Sequence, residues 1–393
     1  MGEDREPLTP RLRHFGTTIF TEMSALAVAT DSINLGQGFP DTDGPAEVLT
    51  AAVEAIRAGR NQYPPGRGVP ALRQAIAEHQ RRFWGLEFDP DSEILVTTGA
   101  TEAIAATMVA LCEAGDEVVT FEPYFDSYAA AIAIAGAVRR PVTLRREGAG
   151  FVFDPDQLAA AVSDRTRLLL LNSPHNPTGR VFSRAELDQV AELARERDLL
   201  VVTDEVYEHM VFDGEHVPLA SLPGMRERTV TISSAGKSFA VTGWKVGWIC
   251  APAELTSAIM TVKQFLTFAS GTPFQDAVAV GLGLADGYFT GLRDGLRRQR
   301  DVLVGGLRAV GFDVVEPAAT YFATADVRSL GFSDGMTFCR ELPRRAGVAA
   351  VPTSVFYDDA DAGRSLVRFA FCKRPEVLAE AVRRLGGTDL PPL

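Results

Sequence analysis

From residue 93 to residue 250 the chain alternates between two textures. A short apolar run ends in a turn, and a helical pattern of small and charged residues follows. "EILVTTG" (93–99) leads into "ATEAIAATMVALCEAG", and "DEVVTFEP" into "DSYAAAIAIAGA". "TRLLLLNSP" passes through a Pro/Gly loop into "SRAELDQVAELARERD", and "LLVVTDEVY", "RTVTISS" and "VGWICAP" read as further buried strands. Continuous apolar strands separated by helices require a mostly parallel sheet covered on both faces. The expected fold is α/β, with a three-layer large domain over 41–285. After residue 286 the texture changes to a long arginine-rich helix, about 286–310. Short strands follow in "FDVVEP", "TYFATADV", "GVAAVP" and "SLVRFAF", with a last helix in "PEVLAEAVRRLGG". This predicts a smaller α+β domain over 286–393. Residues 1–40 show no strand–helix pair of their own and are expected to pack on it.

In open α/β sheets, ligands bind beyond the carboxyl ends of the strands. Polar residues collect at those ends. Gly99, Ala100 and Thr101 stand at a strand-to-helix turn, where free N–H groups attract an anion; an ordinary N-cap is the plainer reading. Asn176 lies in the rigid "NSPHNPTG" turn, and Asp204 ends an apolar strand three residues before Tyr207. Phe125 follows another strand. Arg368 is embedded in "SLVRFAF", where a buried guanidinium needs an anion, from a structural ion pair or from a ligand.

The chain is sparing with lysine: 35 of its 39 basic residues are arginine. Two of the four lysines, Lys237 and Lys245, share the segment "SSAGKSFAVTGWKVGW" with Ser234. Lysine differs from arginine in that its amine can lose a proton and attack a carbonyl. Taken together, these residues describe one ligand. It has a phosphate (Gly99–Thr101, Ser234, Lys245), a flat ring (Phe125), a ring nitrogen (Asp204), a ring oxygen (Asn176, Tyr207) and an aldehyde (Lys237). That ligand is pyridoxal 5′-phosphate.

The ordered motifs "GQGFPD", "NQYPPGRG", "GATEAI", "NSPHNPTG", "TDEVY", "SSAGKSF…GWKVGW" and "VRFAF" resemble those of the fold-type-I, class I pyridoxal-phosphate aminotransferases over the whole length. Within that family the likeness extends to the kynurenine/glutamine transaminase branch and to actinobacterial N-succinyldiaminopimelate aminotransferases. The resemblance implies that Lys237 condenses with the cofactor and that Asp204 pairs with its ring nitrogen. It further implies that Arg368, Gly38 and Asn176 meet the substrate, and that Tyr63 reaches the phosphate of a partner subunit in a homodimer with shared sites. A related reading keeps the cofactor but changes the reaction to β-elimination from cysteine conjugates.

The remaining composition narrows the class. A net charge of −12 argues against nucleic-acid and anionic-membrane partners. No apolar run reaches the roughly 20 residues of a membrane span. The N-terminal "MGEDREPLTPRLRHFG" has no apolar core of a signal peptide. Four scattered cysteines and five dispersed histidines suggest neither disulfides nor a metal site. A cytoplasmic, metal-free enzyme is the expectation.

Overall fold

The computed structural model describes residues 8–148 and 150–388. The first seven residues of the charged N-terminal stretch and the last five of the expected C-terminal domain lie outside the described residues. Seven strands form the main sheet in the order Ile94–Thr97, Gly247–Cys250, Thr229–Ser234, Leu200–Asp204, Thr166–Asn172, Glu117–Glu122 and Val138–Thr143. Only Gly247–Cys250 runs antiparallel to its neighbours.

The four consecutive leucines at 168–171 show why the strands read as unbroken apolar runs. Successive side chains of a strand face opposite ways. Leu168 and Leu170 join a core with Ala103, Ile104 and Met108 of the helix Gly99–Leu111. Leu169 and Leu171 join another with Leu187, Val190 and Ala194 of the helix Arg184–Glu196. Both faces are covered, giving three layers. The second helix starts on a capping box, in which Ser183 accepts from the Glu186 N–H and the Glu186 carboxylate accepts from the Ser183 N–H.

A second, antiparallel sheet is ordered Asp313–Val315, Phe322–Asp326, Leu366–Ala370, Val351–Pro352. Leu303, Val304 and Leu307 of the 24-residue helix Asp286–Ala309 share its core with Phe338 and Leu342 of Gly335–Ala346 and Leu378 of Pro375–Gly386.

The N-terminal segment carries regular structure of its own that the sequence reading did not assign. It forms a helix, Ile19–Ala29, followed by a two-residue strand, Ile33–Asn34, paired in parallel with Val348–Ala349. Met23 and Leu35 enter the core of the antiparallel sheet. Also unanticipated are the edge strand Val138–Thr143, the hairpin Arg145–Glu147 with Gly150–Val152, and the helices Ala46–Arg57 and Pro70–Trp84. Among the described residues no helix is long and apolar enough to cross a membrane.

Candidate active site

A cavity of about 350 Å³ opens at the carboxyl ends of the parallel strands, a volume in the ordinary range for a small-molecule site. Every residue singled out from the sequence lines it except Tyr63. That tyrosine is 85% exposed, its ring edge-on to Phe268.

One corner is built for an anion. Gly99 opens the helix Gly99–Leu111 at φ +76°, a left-handed conformation that favours glycine. A Cβ there would come within 3.3 Å of Lys245 Cε. One on Gly247 would lie 2.6 Å from the Gly99 carbonyl carbon, so strand and helix start touch backbone to backbone. The first-turn N–H groups thus share the corner with Ala100, Thr101, Ser234 and the Lys245 side chain. Thr242 lines it too and was not foreseen.

At the next strand end Asp204 is 5% exposed. The Tyr128 hydroxyl donates to its Oδ2 at 2.5 Å, and the Val206 N–H to Oδ1 at 3.4 Å. Burial still pushes the carboxyl up to about 6, against those donors and the Lys237 charge. Among the described residues it forms no ion pair. A buried carboxylate without a cation is costly, and a protonated ring nitrogen would supply the missing charge.

The Lys237 amine is lowered to about 8, chiefly by burial, with Arg368 and Lys245 acting in the same direction. Its Nζ donates to the Gly38 carbonyl at 3.5 Å and lies 5.9 Å from the Tyr207 ring centroid.

Arg368 is 1% exposed. Its Nη1 donates to Asn176 Oδ1 at 3.0 Å and its Nη2 to the Gly36 carbonyl at 2.8 Å. Phe322 stacks on the guanidinium, 4.0 Å from its ring centroid. Burial lowers the group to about 10. The plain alternative of a structural ion pair is absent among the described residues, and Nε is buried with no partner. Asn176 in turn is held by its own N–H on Asn172 Oδ1 at 2.7 Å, while Asn172 Nδ2 donates to the Asp204 carbonyl at 2.8 Å. With Oδ1 committed to Arg368, the Asn176 NH₂ remains for a ligand oxygen.

The residues present therefore fit pyridoxal phosphate: an anion corner, a carboxylate lacking a cation, an amide donor and a neutralisable amine share one cavity. Tyr128 and Phe322 escaped the sequence reading. An aromatic on an alanine-rich helix and a phenylalanine in an apolar strand look like core.

A profile of the family described as aminotransferase class I and II matches residues 30–385. The solved structure of N-succinyldiaminopimelate aminotransferase from Mycobacterium tuberculosis superposes with a TM-score of 0.95 at 53% identity, covering 97% of this chain and 99% of that one. The methionine aminotransferase of Escherichia coli is 42% identical, over 96% of this chain and 98% of its own. A kynurenine–oxoglutarate transaminase of Dictyostelium discoideum is 37% identical, over 93% of each. The chain belongs to the class I and II aminotransferases, pyridoxal-phosphate enzymes that move amino groups between amino acids and 2-oxo acids.

Proposed function

We propose that this aminotransferase takes N-succinyl-L,L-diaminopimelate as amino donor and 2-oxoglutarate as acceptor, with Lys237 as its catalytic amine. Arg368 carries the reading: a buried guanidinium without a carboxylate partner, in the same cavity as the lysine, is a seat for a substrate α-carboxylate. The identity of the donor is supported by the 53% identity to the Mycobacterium tuberculosis enzyme over nearly the full length of both chains.

Bound pyridoxal phosphate supplies an aldehyde for amines to condense with and a ring that takes up the electron pair left when the substrate Cα–H bond breaks. The chain's own residues do the rest. Arg368 fixes the carboxylate and so the direction of the Cα–H bond. Lys237 would accept that proton and return it, a task suited to an amine lowered to about 8. Asp204 would hold the cationic ring nitrogen, Asn176 and Tyr207 the ring oxygen, and Phe125 one ring face. Gly99, Ala100, Thr101, Ser234 and Lys245 would hold the phosphate, and Gly38 would border the substrate. Donor and acceptor use the site in turn, so the kinetics are ping-pong.

The reading includes a homodimer in which Tyr63 serves the partner's site. It is supported by a cluster of exposed apolar side chains in this region, Phe265 at 83% and Leu266 and Phe268 at about half. It also keeps the division at 41–285 and 286–393, supported by the two separate sheets, and a cytoplasmic setting, supported by four buried free cysteines.

A second reading is favoured by the cavity wall. Phe20, Ile104, Val206 and Phe322 are apolar, and Arg368 is the only arginine among the lining residues. Such a wall suits a donor with an apolar side chain such as methionine. A single-turnover titration separates the two. Holoenzyme receives N-succinyl-L,L-diaminopimelate, methionine, kynurenine or glutamine, without 2-oxo acid, while the bound-cofactor absorbance is followed. Fastest loss of the band with the succinylated donor supports the first reading, and fastest loss with methionine the second. A band that persists with all four donors, together with pyruvate release when a cysteine conjugate is added in a parallel run, overturns both.

A further inference from the structure

Three of the five histidines, which looked dispersed along the chain, converge on a place the transamination machinery does not use. His79 comes from the helix Pro70–Trp84, and His209 lies 130 positions later in the segment after the strand Leu200–Asp204. Their Nε2 atoms face each other at 2.7 Å. The Glu208 carboxylate completes a group whose ligand atoms all lie within 4.8 Å of one another.

Strand alternation puts this cluster across the main sheet from the cofactor cavity. Ser234 lines the cavity, so its neighbour Ser233 faces the other way. There its hydroxyl donates to Glu208 Oε1 at 2.8 Å. The expectation of a metal-free chain rested on sequence spacing alone, which does not register residues brought together by folding.

We propose that His79, His209 and Glu208 form a binding site for a transition-metal dication of the zinc class. Two imidazole nitrogens and one carboxylate oxygen are a common three-ligand set for zinc, and a nitrogen-rich set selects zinc, cobalt or nickel over magnesium and calcium. Metal–nitrogen bonds of about 2.0–2.1 Å at a tetrahedral angle need the two nitrogens roughly 3.3 Å apart. The rings must therefore part by only about half an ångström. As the rings stand, one Nε2 donates to the other, and a metal would take the place of that proton, which shifts to Nδ1 of its own ring.

The carboxylate ligand is held from behind as in an outer ligand shell. Trp84 Nε1 donates to Glu208 Oε2 at 2.7 Å, and with Ser233 it fixes the carboxylate while leaving each oxygen a lone pair. Glu208 forms no ion pair among the described residues, so its ionised form lacks the cation that a metal would bring. The Nδ1 atoms of His79 and His216 are buried without partners, and His216 Nε2 meets Glu205 at 2.9 Å. A surface cleft of about 370 Å³, lined by Trp84, Glu208, His209, His216, Asp286 and Arg293, gives a route in and space for a fourth, exchangeable ligand.

The test uses holoenzyme stripped with chelator and dialysed, then equilibrated with zinc chloride. One zinc per chain is expected, with affinity at least tenfold weaker in both His209→Asn and Glu208→Gln. The far-UV circular dichroism and transaminase rate of His209→Asn should stay at the unsubstituted level. Cobalt(II) added to the unsubstituted enzyme should give the intense visible absorption of a four- or five-coordinate ion, a readout that needs no variant to fold. Substoichiometric zinc, uptake indifferent to both substitutions, or the pale spectrum of hydrated cobalt would each overturn the site.

Discussion

Replacing Tyr128 with phenylalanine removes one oxygen and tests the electrostatics of the whole cofactor pocket. The tyrosine hydroxyl donates to Asp204 Oδ2 at 2.5 Å, and with it in place the buried carboxyl sits at about 6. A hydrogen bond to a charged acceptor is worth about 1.5–3 kcal/mol. At about 1.36 kcal/mol per pKa unit, its loss raises Asp204 by one to two units, to roughly 7–8. Phenylalanine keeps the packing of the ring. The assay is the dissociation constant of pyridoxal phosphate for the apoprotein between pH 5 and 9. Below its pKa, Asp204 is protonated and gives a cationic ring nitrogen nothing to pair with. Affinity should therefore weaken below about pH 6 in the parent and below roughly pH 7–8 in Tyr128→Phe. The stability of the apoprotein runs the opposite way with pH. Because the folded value lies above the unfolded one of about 3.9, the contribution of Asp204 is fully present below that pH and is lost as pH rises through about 6. If the affinity profiles of the two proteins share one midpoint, the bond does not tune Asp204 and the reasoning fails.

Lys237→Ala should abolish turnover while the protein still takes up cofactor; near-normal single-turnover transamination would refute the lysine assignment. Asp204→Asn should lower kcat on the order of 10²–10³-fold with circular dichroism unchanged, and a loss below tenfold would reduce the aspartate to a cap. Phe265→Glu places a charge on a side chain 83% exposed and, on the proposed homodimer, should convert dimers to monomers in sedimentation, with cofactor affinity falling alongside; an unshifted sedimentation coefficient speaks against that face. Phe182→Ala empties a fully buried site beside Phe121 and Phe153, and should cost about 3–5 kcal/mol in urea unfolding.

The parts of the site legible in the sequence were those where a residue contradicts its surroundings. Asp204 ends an apolar strand, Arg368 interrupts one, and Lys237 is a lysine in a chain that writes arginine. Burial turns each contradiction into an energetic demand, one that the proposed cofactor and substrate would answer. Tyr128 and Phe322 contradict nothing, since an aromatic in an apolar run is the commonest core signal. Their roles depend on which strand end lies above them. The main sheet was readable because a strand buried on both faces has no polar alternation. The edge strand Val138–Thr143 was not: two arginines and Pro141 break its run, as an edge position permits. The pairing of Ile33–Asn34 with Val348–Ala349 joins segments some 315 positions apart, and nothing local in either announces the other.

Arg368 stands in the antiparallel sheet, between Thr324 and Val351, whereas Asp204 and Lys237 stand at the rim of the parallel one. On the proposed function, an amino acid held by its carboxylate on the first and joined through its nitrogen to a cofactor seated on the second would be a tie-rod across the seam between two separately built halves. A simple amine, with nothing for the arginine to hold, would engage only one half. Selection for α-amino acids would then be a property of how the chain is jointed as much as of the pocket's outline.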